Sequence, residues 1–512
     1  MSQTITLLYE RIMEKIKELI VFGSAVAVIH WDTETMMPPR AVKLRSEQMS
    51  LMRRIEHRMG TDPEIGRLLK EIIEHPDYDS LDLVQKRNIY LIKKRYDEQT
   101  ALPEDLVAKT AKQRVITTET WKKAKAAKDF SILKPELAKL VELRREAAEI
   151  LMDVKGTETS YDALIDIFEP KMTERTLTKI FEHLQQGLTR IMEDIKRLGE
   201  QQRPDFLMRR IPVEIQRRIA VVLAESLGYD VTSSEAGGRI DETEHPFTTG
   251  YYDDVRITTH YYEDNFTSSI FSVLHEAGHA LYDQNIRREW MYQPVGSPCS
   301  YGLNESQSRF VENIIGRSRE FWVYFLPRLK EIAGSLLSDV DLDSFVKAIN
   351  IVKPSKIRVE ADEVTYCLHI IIRFNLERDL FAEKISVEDL PELWRQMYND
   401  YLGVKIENDS EGVMQDTHWP SGLFGYFPSY ALGNIYGGQI LEALVKDIPD
   451  WKTLIAEGKI RPIIEWLARN IYAWGNLYDP TDLIKKITGR DLQVEPYLRY
   501  LTEKHFGTQP PA

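Results

Sequence analysis

Residues 267–283 read TSSIFSVLHEAGHALYD, and this stretch constrains the chain more than any other. Its centre is the pattern H-E-x-x-H, formed by His275, Glu276 and His279. On an α-helix, residues four apart stack on one face, a turn from each other. Both imidazoles can then reach one Zn²⁺ at about 2.0–2.1 Å. Glu276 falls at the edge of that face, placed to act as a general base on a water rather than as a ligand. The flanks Ile270, Phe271, Val273, Leu274, Ala280, Leu281 and Tyr282 are apolar. They predict a buried helix, in which two histidines and a glutamate need either a metal or one another.

A hydrolytic zinc site usually takes three protein ligands and keeps a fourth position for water. Glu305, 26 residues after His279, is the expected third ligand. The breakers Pro294, Gly296 and Pro298 supply a loop in between. Phe310, Val311, Ile314 and Ile315 supply the apolar spacing of a second helix. Spacing alone does not decide the matter. Glu312 and Asp283 compete, and Glu305 can also be read as a helix-start carboxylate.

The sequence here resembles the M32 metallocarboxypeptidases, the carboxypeptidase Taq family. The resemblance rests on HEAGH followed by Asn304-Glu305-Ser306-Gln307-Ser308-Arg309. It extends to His245-Pro246-Phe247, the D-x-R-x-T run from Asp254 to Thr258, and the I-R-x-x-A-D run from Ile357 to Asp362. It further includes the G-x-x-Q-D-x-H-W run from Gly412 to Trp419, and a match around Trp31 and Pro38. These motifs occur in order across most of the chain. Family members commonly carry His where this chain has Asn304. The resemblance implies a mainly α, zincin/neurolysin-like fold with a deep groove. It implies release of single C-terminal residues from peptides with a free C-terminus, with broad choice of residue and little action at proline. It also implies zinc that cobalt can replace, and a homodimer. An endo-acting or dipeptide-releasing oligopeptidase of the same fold, and a non-enzymatic peptide-binding scaffold, are the competing readings.

Composition narrows the field. A net charge of −13 and a pI near 5.5 argue against nucleic acid, whose backbone demands Lys and Arg. Two cysteines, Cys299 and Cys367, make neither a disulfide framework nor a Cys-rich metal site. They read as small buried residues in a reducing compartment. The start of the chain mixes Glu and Lys along an amphipathic helix, unlike a secretory signal. No apolar run is long enough to span a bilayer. The expected location is the cytoplasm, with no membrane partner.

Apolar residues recur at helical spacing almost throughout. The expected helices include 41–59, 81–96, 136–154, 173–202, 213–227, 306–333, 341–352, 357–378, 387–401, 432–448 and 460–472. Asp62 and Pro63 mark a helix start, as cap and first-turn proline. Residues 245–264, rich in Thr, Tyr, Val and Ile, predict a small sheet of two or three strands just before the zinc helix. Such a strand can hold an extended peptide by main-chain hydrogen bonds. The whole chain, 1–512, is read as one catalytic unit. Residues 1–240 line the groove, 241–440 hold the metal and substrate site, and 441–512 form closing helices.

A peptidase also needs help for the oxyanion. His418 and Tyr430 or Tyr436, in an aromatic, loop-rich stretch, are the expected groups. Arg358 lies in an apolar segment, and its planar fork suits a terminal carboxylate. The alternative for Arg358 is an ion pair with Glu360, Asp362 or Glu363. His245 and Gln415, in the matching motifs, are expected to bind substrate. Arg256 is expected to be structural, paired with Asp254 or with backbone.

Overall fold

The structure is a computed structural model and describes residues 4–199 and 201–507. Its first helix, α1 (Ile5–Thr35), is capped by Thr4. It is followed by α2 (Val42–Gly60), α3 (Pro63–Ile73), α4 (Leu83–Ala101), α5 (Glu104–Ala127) and α6 (Phe130–Lys155). The signals at Asp62 and Pro63 act as expected: the Asp62 carboxylate accepts from Glu64 N–H at 2.9 Å, and proline opens α3. Then come α7 (Ser160–Phe168), α8 (Glu174–Arg197) and α9 (Val213–Leu227). α8 ends before the predicted limit at 202, and residue 200 lies outside the described residues.

The sheet follows, with β1 (Gly238–Glu242), β2 (Thr248–Tyr251) and β3 (Asp254–Thr259) in the order β1-β3-β2. β1 runs parallel to β3, while β2 pairs antiparallel with it, Thr248 opposite Ile257. The sheet thus starts before residue 245, earlier than the sequence suggested. β1 carries Gly238, Arg239 and Asp241, which gave no strand signal of their own.

The zinc-pattern helix is α10 (Phe266–Gln284). α11 (Tyr301–Arg309) runs into a stretch of π-helix, Phe310–Ile315. A break at Gly316 separates it from α12 (Arg319–Ala333), so the single helix expected over 306–333 is two. After α13 (Leu342–Ile349), the helix expected over 357–378 is also divided. Arg358–Glu360 is an isolated 3₁₀ turn, and α14 begins only at Tyr366 and ends at Phe381. The reason is local. The Asp362 carboxylate accepts from the N–H groups of Val364 and Thr365 and from the Thr365 hydroxyl, which caps a new helix start. The rest is α15 (Leu390–Leu402), a long loop that carries His418, and α16 (Pro428–Asp447). Four short helices close the chain: α17 (Trp451–Ala456), α18 (Arg461–Asn470), α19 (Pro480–Thr488) and α20 (Glu495–Phe506).

Two apolar cores form. A small one joins α1, α3 and α4 through Ile12, Leu68, Ile72 and Ile89. The large one runs from α5 to α20 and surrounds α10. Polar bolts join them: Asn88 donates to Tyr9 and Gln293 and accepts from Val295 N–H, while Arg87 pairs with Asp479. No helix among the described residues is long and apolar enough to cross a membrane. Both cysteines are buried and unpaired.

Candidate metal centre and active site

The face of α10 that carries the histidines meets α11 at a glycine. A Cβ on Gly278 would lie 2.6 Å from Ser308 Cα and 2.7 Å from the Gln307 carbonyl oxygen. Only glycine allows this approach. It brings the start of α11 beside His279 and the π-helical segment beside His275.

The result is a three-donor cluster. His275, His279 and Glu305 each offer a ligand atom, all within 4.8 Å of one another. Glu305 Oε2 is 3.8 Å from His275 Nε2 and 3.6 Å from His279 Nε2. Glu305 Oε1 accepts from Arg309 Nε at 2.8 Å, so its other oxygen is aimed at the histidines. The far nitrogens are committed elsewhere. His275 Nδ1 donates to Glu312 Oε2 at 2.9 Å, and His279 Nδ1 donates to Asn304 Oδ1. Both Nε2 atoms are therefore left as acceptors facing one point. Two imidazole nitrogens and one carboxylate oxygen fit a divalent transition metal with an open position. Burial raises the Glu276 carboxyl above its usual range, against the pull of His275 and a Thr248 hydrogen bond. Against burial, Arg309 and the two histidines hold Glu305 below that range. Burial and the neighbouring His275 push His279 down to about 4.

Of the competitors for third ligand, Glu312 is an outer partner. It binds His275, Arg309 and Arg317. Asp283 lies one turn past His279, outside the cluster. Half-buried, it has no hydrogen bond or ion pair among the described residues, and burial pushes its carboxyl up to about 7. The general-base position has a support that the sequence did not reveal. Thr248 Oγ1, at the start of β2, donates to Glu276 Oε2 at 2.6 Å. The sheet thus holds the carboxylate beside the ligand triangle.

The other expected residues divide. Arg358 is 7% exposed. Its Nε donates to Asp416 Oδ1 at 2.9 Å and its Nη1 to the Tyr366 hydroxyl at 3.0 Å. The partner is therefore Asp416, not Glu360, Asp362 or Glu363. Asp362 is spent on its cap, and Glu363 pairs with Lys504 at 2.6 Å. Asp416 also accepts from Arg373 Nε at 2.7 Å. Against burial, the two guanidiniums hold it well below the usual range. His418 Nε2 and the Tyr430 hydroxyl are hydrogen-bonded at 3.2 Å, and the Arg358 guanidinium lies 5.1 Å from the Tyr430 ring centre. Burial, then Arg358, pushes His418 down to about 3, so it is neutral at pH 7. Tyr430 lies on α16 one turn before Gly433, whose Cβ position is 2.8 Å from Glu305 Cγ. Tyr430, His418 and Arg358 are thereby joined to the ligand set.

Gln415, Tyr436 and His245 are not joined to it, contrary to expectation. Gln415 Oε1 accepts from Arg358 N–H and Arg373, and its Nε2 donates to the carbonyls of Lys356 and Glu411. With its amide saturated, it holds Arg358 rather than a substrate. The Tyr436 hydroxyl donates to buried Glu169 at 2.6 Å, behind α11. His245 is exposed in the β1–β2 loop, with no hydrogen bond among the described residues. Arg256 pairs with Asp254 at 2.6 Å, as expected, and also covers Trp31. One site neighbour gave no clear sequence signal. Tyr426 is half-buried, with its ring 5.3 Å from Tyr430 and 5.4 Å from His418.

The family profile described as Carboxypeptidase Taq (M32) metallopeptidase matches residues 11–505. The chain belongs to the M32 metallopeptidases. It is 38% identical to Carboxypeptidase 1 of Bacillus subtilis over 503 residues, covering 97% of this chain and 98% of that one. It is 39% identical to Thermostable carboxypeptidase 1 of Thermus thermophilus over 506 residues, with the same coverage. The M32 carboxypeptidase of Deinococcus radiodurans R1 superposes with a TM-score of 0.93 at 32% identity, over 98% of this chain and 99% of that one. This M32 enzyme is a metallocarboxypeptidase acting on peptides, and its family implies a divalent metal.

Proposed function

We propose that the enzyme is zinc-dependent, with cobalt able to substitute, and releases single C-terminal residues with broad choice. The ion would be held by His275, His279 and Glu305. The two-nitrogen, one-carboxylate donor set supports zinc. Bound there, such an ion polarises the scissile carbonyl and makes a water a stronger nucleophile near neutral pH.

The remaining chemistry falls to the chain. Glu276, held by Thr248, accepts the proton of the attacking water and passes it to the leaving amine. Tyr430 donates toward the developing oxyanion, and neutral His418 steadies it by donating from Nε2 to the Tyr430 oxygen. Asp416 and Tyr366 fix Nε and Nη1 of Arg358, Nη2 has no hydrogen bond among the described residues, and the guanidinium takes the substrate's terminal carboxylate. β2 is an edge strand beside α10, where an extended peptide would add by main-chain hydrogen bonds. The chain is read as one catalytic unit. The homodimer is proposed on family resemblance alone, and the cytoplasm on that basis with the unpaired cysteines.

One observation carries this reading. A buried arginine, held by a carboxylate and a tyrosine, is linked through Tyr366 and Arg309 to the metal-ligand Glu305. The test is hydrolysis of an N-blocked dipeptide and its C-terminal amide, with and without chelator. The acid should be cleaved and the amide spared, with activity lost to chelator and restored by Zn²⁺ or Co²⁺. Arg358→Ala should lower kcat/KM for the acid by about a hundredfold or more (roughly 3 kcal/mol). Equal cleavage of acid and amide would end the clamp assignment.

A further inference from the structure

We propose that Asp283 is a specificity-determining residue that binds a cationic group of the peptide on the N-terminal side of the scissile bond. This rests on the Arg358 clamp, which sets the direction of the substrate.

On α10 the half-buried residues Ser268, Ser272, His275, His279 and Asp283 recur at intervals of three or four, among mostly buried neighbours. They form one stripe on the face of α10 that carries the two histidines, and Asp283 ends it. The clamp sits toward the other end. From His275 the contacts pass to Glu312, Arg309, Tyr366 and then Arg358. Arg317, bound to the same Glu312, stacks on Phe271 near the start of α10.

A peptide with its terminal carboxylate on Arg358 and its scissile carbonyl between the histidines must run its upstream residues toward Asp283. Asp283 is about 6 Å along the helix from His279. An extended chain covers that distance in about two residues, at roughly 3.3–3.6 Å each.

Among the described residues the carboxylate has no ion pair or hydrogen bond. Nearby Arg287 lies over Trp290 and Trp474, and Arg288 is bonded to Asp253. A half-buried carboxylate without a partner is costly, and an ammonium or guanidinium from the substrate would relieve that cost. Such a group can be a Lys or Arg side chain at the penultimate position, or the α-ammonium of a tripeptide.

The test compares kcat/KM for N-blocked peptides ending Lys-Leu and Ala-Leu, and for a free-amine neutral tripeptide beside its acetylated form. Wild-type enzyme should favour one cationic member by about tenfold, the strength of one charge-assisted hydrogen bond. The member favoured tells side chain from α-ammonium. In Asp283→Asn the ratio should fall to near one, while in Asp283→Glu it should stay above one. An unchanged ratio in Asp283→Asn overturns the proposal. If the variant instead alters the choice of C-terminal residue, the peptide runs the other way, and the clamp reading fails with it.

Discussion

His275 donates from Nδ1 to Glu312 at 2.9 Å, and this bond aims its other nitrogen at Glu305. A carboxylate behind a ligand histidine fixes the ring and raises its basicity. Glu312→Gln keeps the shape but removes the charge. Metal affinity should fall about tenfold or more, read by competition with a chromophoric chelator. Unchanged affinity would reduce Glu312 to a partner of Arg309 and Arg317.

Gly278 permits the contact between α10 and α11. Gly278→Ala places a methyl against Ser308 Cα and the Gln307 carbonyl, neither of which can swing aside. The expected cost is about 1–3 kcal/mol of stability. Because the same contact brings Glu305 to the histidines, metal affinity should fall with it. Calorimetry and metal titration on one preparation test both.

The two tyrosines should separate by what they lose. Tyr430→Phe should lower kcat by about 10–100-fold with a small change in KM, if its hydroxyl, bonded to His418, donates to the oxyanion as proposed. Tyr436→Phe should instead lower stability by about 1–3 kcal/mol, because Glu169 loses a buried donor. The reverse pattern would restore Tyr436 to the mechanism.

Glu377 shapes the pH dependence of stability. It accepts from Tyr161, Trp419 and Gly425 and so ties the loop of His418 to α14. Despite those bonds, burial pushes its carboxyl from 4.5 to about 7. The folded state therefore favours the protonated form. Its contribution is fully present below about pH 4.5 and is lost as the pH rises through about 7. Glu377→Gln should remove that slope, on the order of 1–3 kcal/mol across the window. Glu169 and Asp283, also pushed to about 7, keep their own share. Denaturation midpoints at several pH values measure it. An equal slope in the variant would mean Glu377 is ionised throughout.

Reading the chain anticipated the α-rich body and the sheet before α10, and the three expected donors, His275, His279 and Glu305, lie within 4.8 Å of one another. It erred where a side chain interrupts a periodic pattern. Residues 357–378 look like one apolar helix, yet Asp362 caps a new start inside it. Gln415 sits in a motif and Tyr436 in the aromatic stretch after it, but whether a polar group faces a cleft or a neighbour depends on distant segments. Thr248 supports Glu276 from another element, and no spacing in the sequence reveals such a contact.

The sequence by itself determined what is local. Spacing of four on a helix puts His275 and His279 on one face, because the turn repeats every 3.6 residues. The neighbouring Glu276 follows from the same geometry. Spacing left Glu305, Glu312 and Asp283 open as the third donor, and only the tertiary structure brings one of them, Glu305, within 4.8 Å of both histidine donors. The close passage of α11 across Gly278, and the π-helical register that follows, carry Glu305 to the ligand position and Glu312 behind it. Asp283 is left outside the cluster, with no hydrogen bond or ion pair among the described residues. That choice is made by the packing of two helices, and packing depends on every residue that fills the core around them.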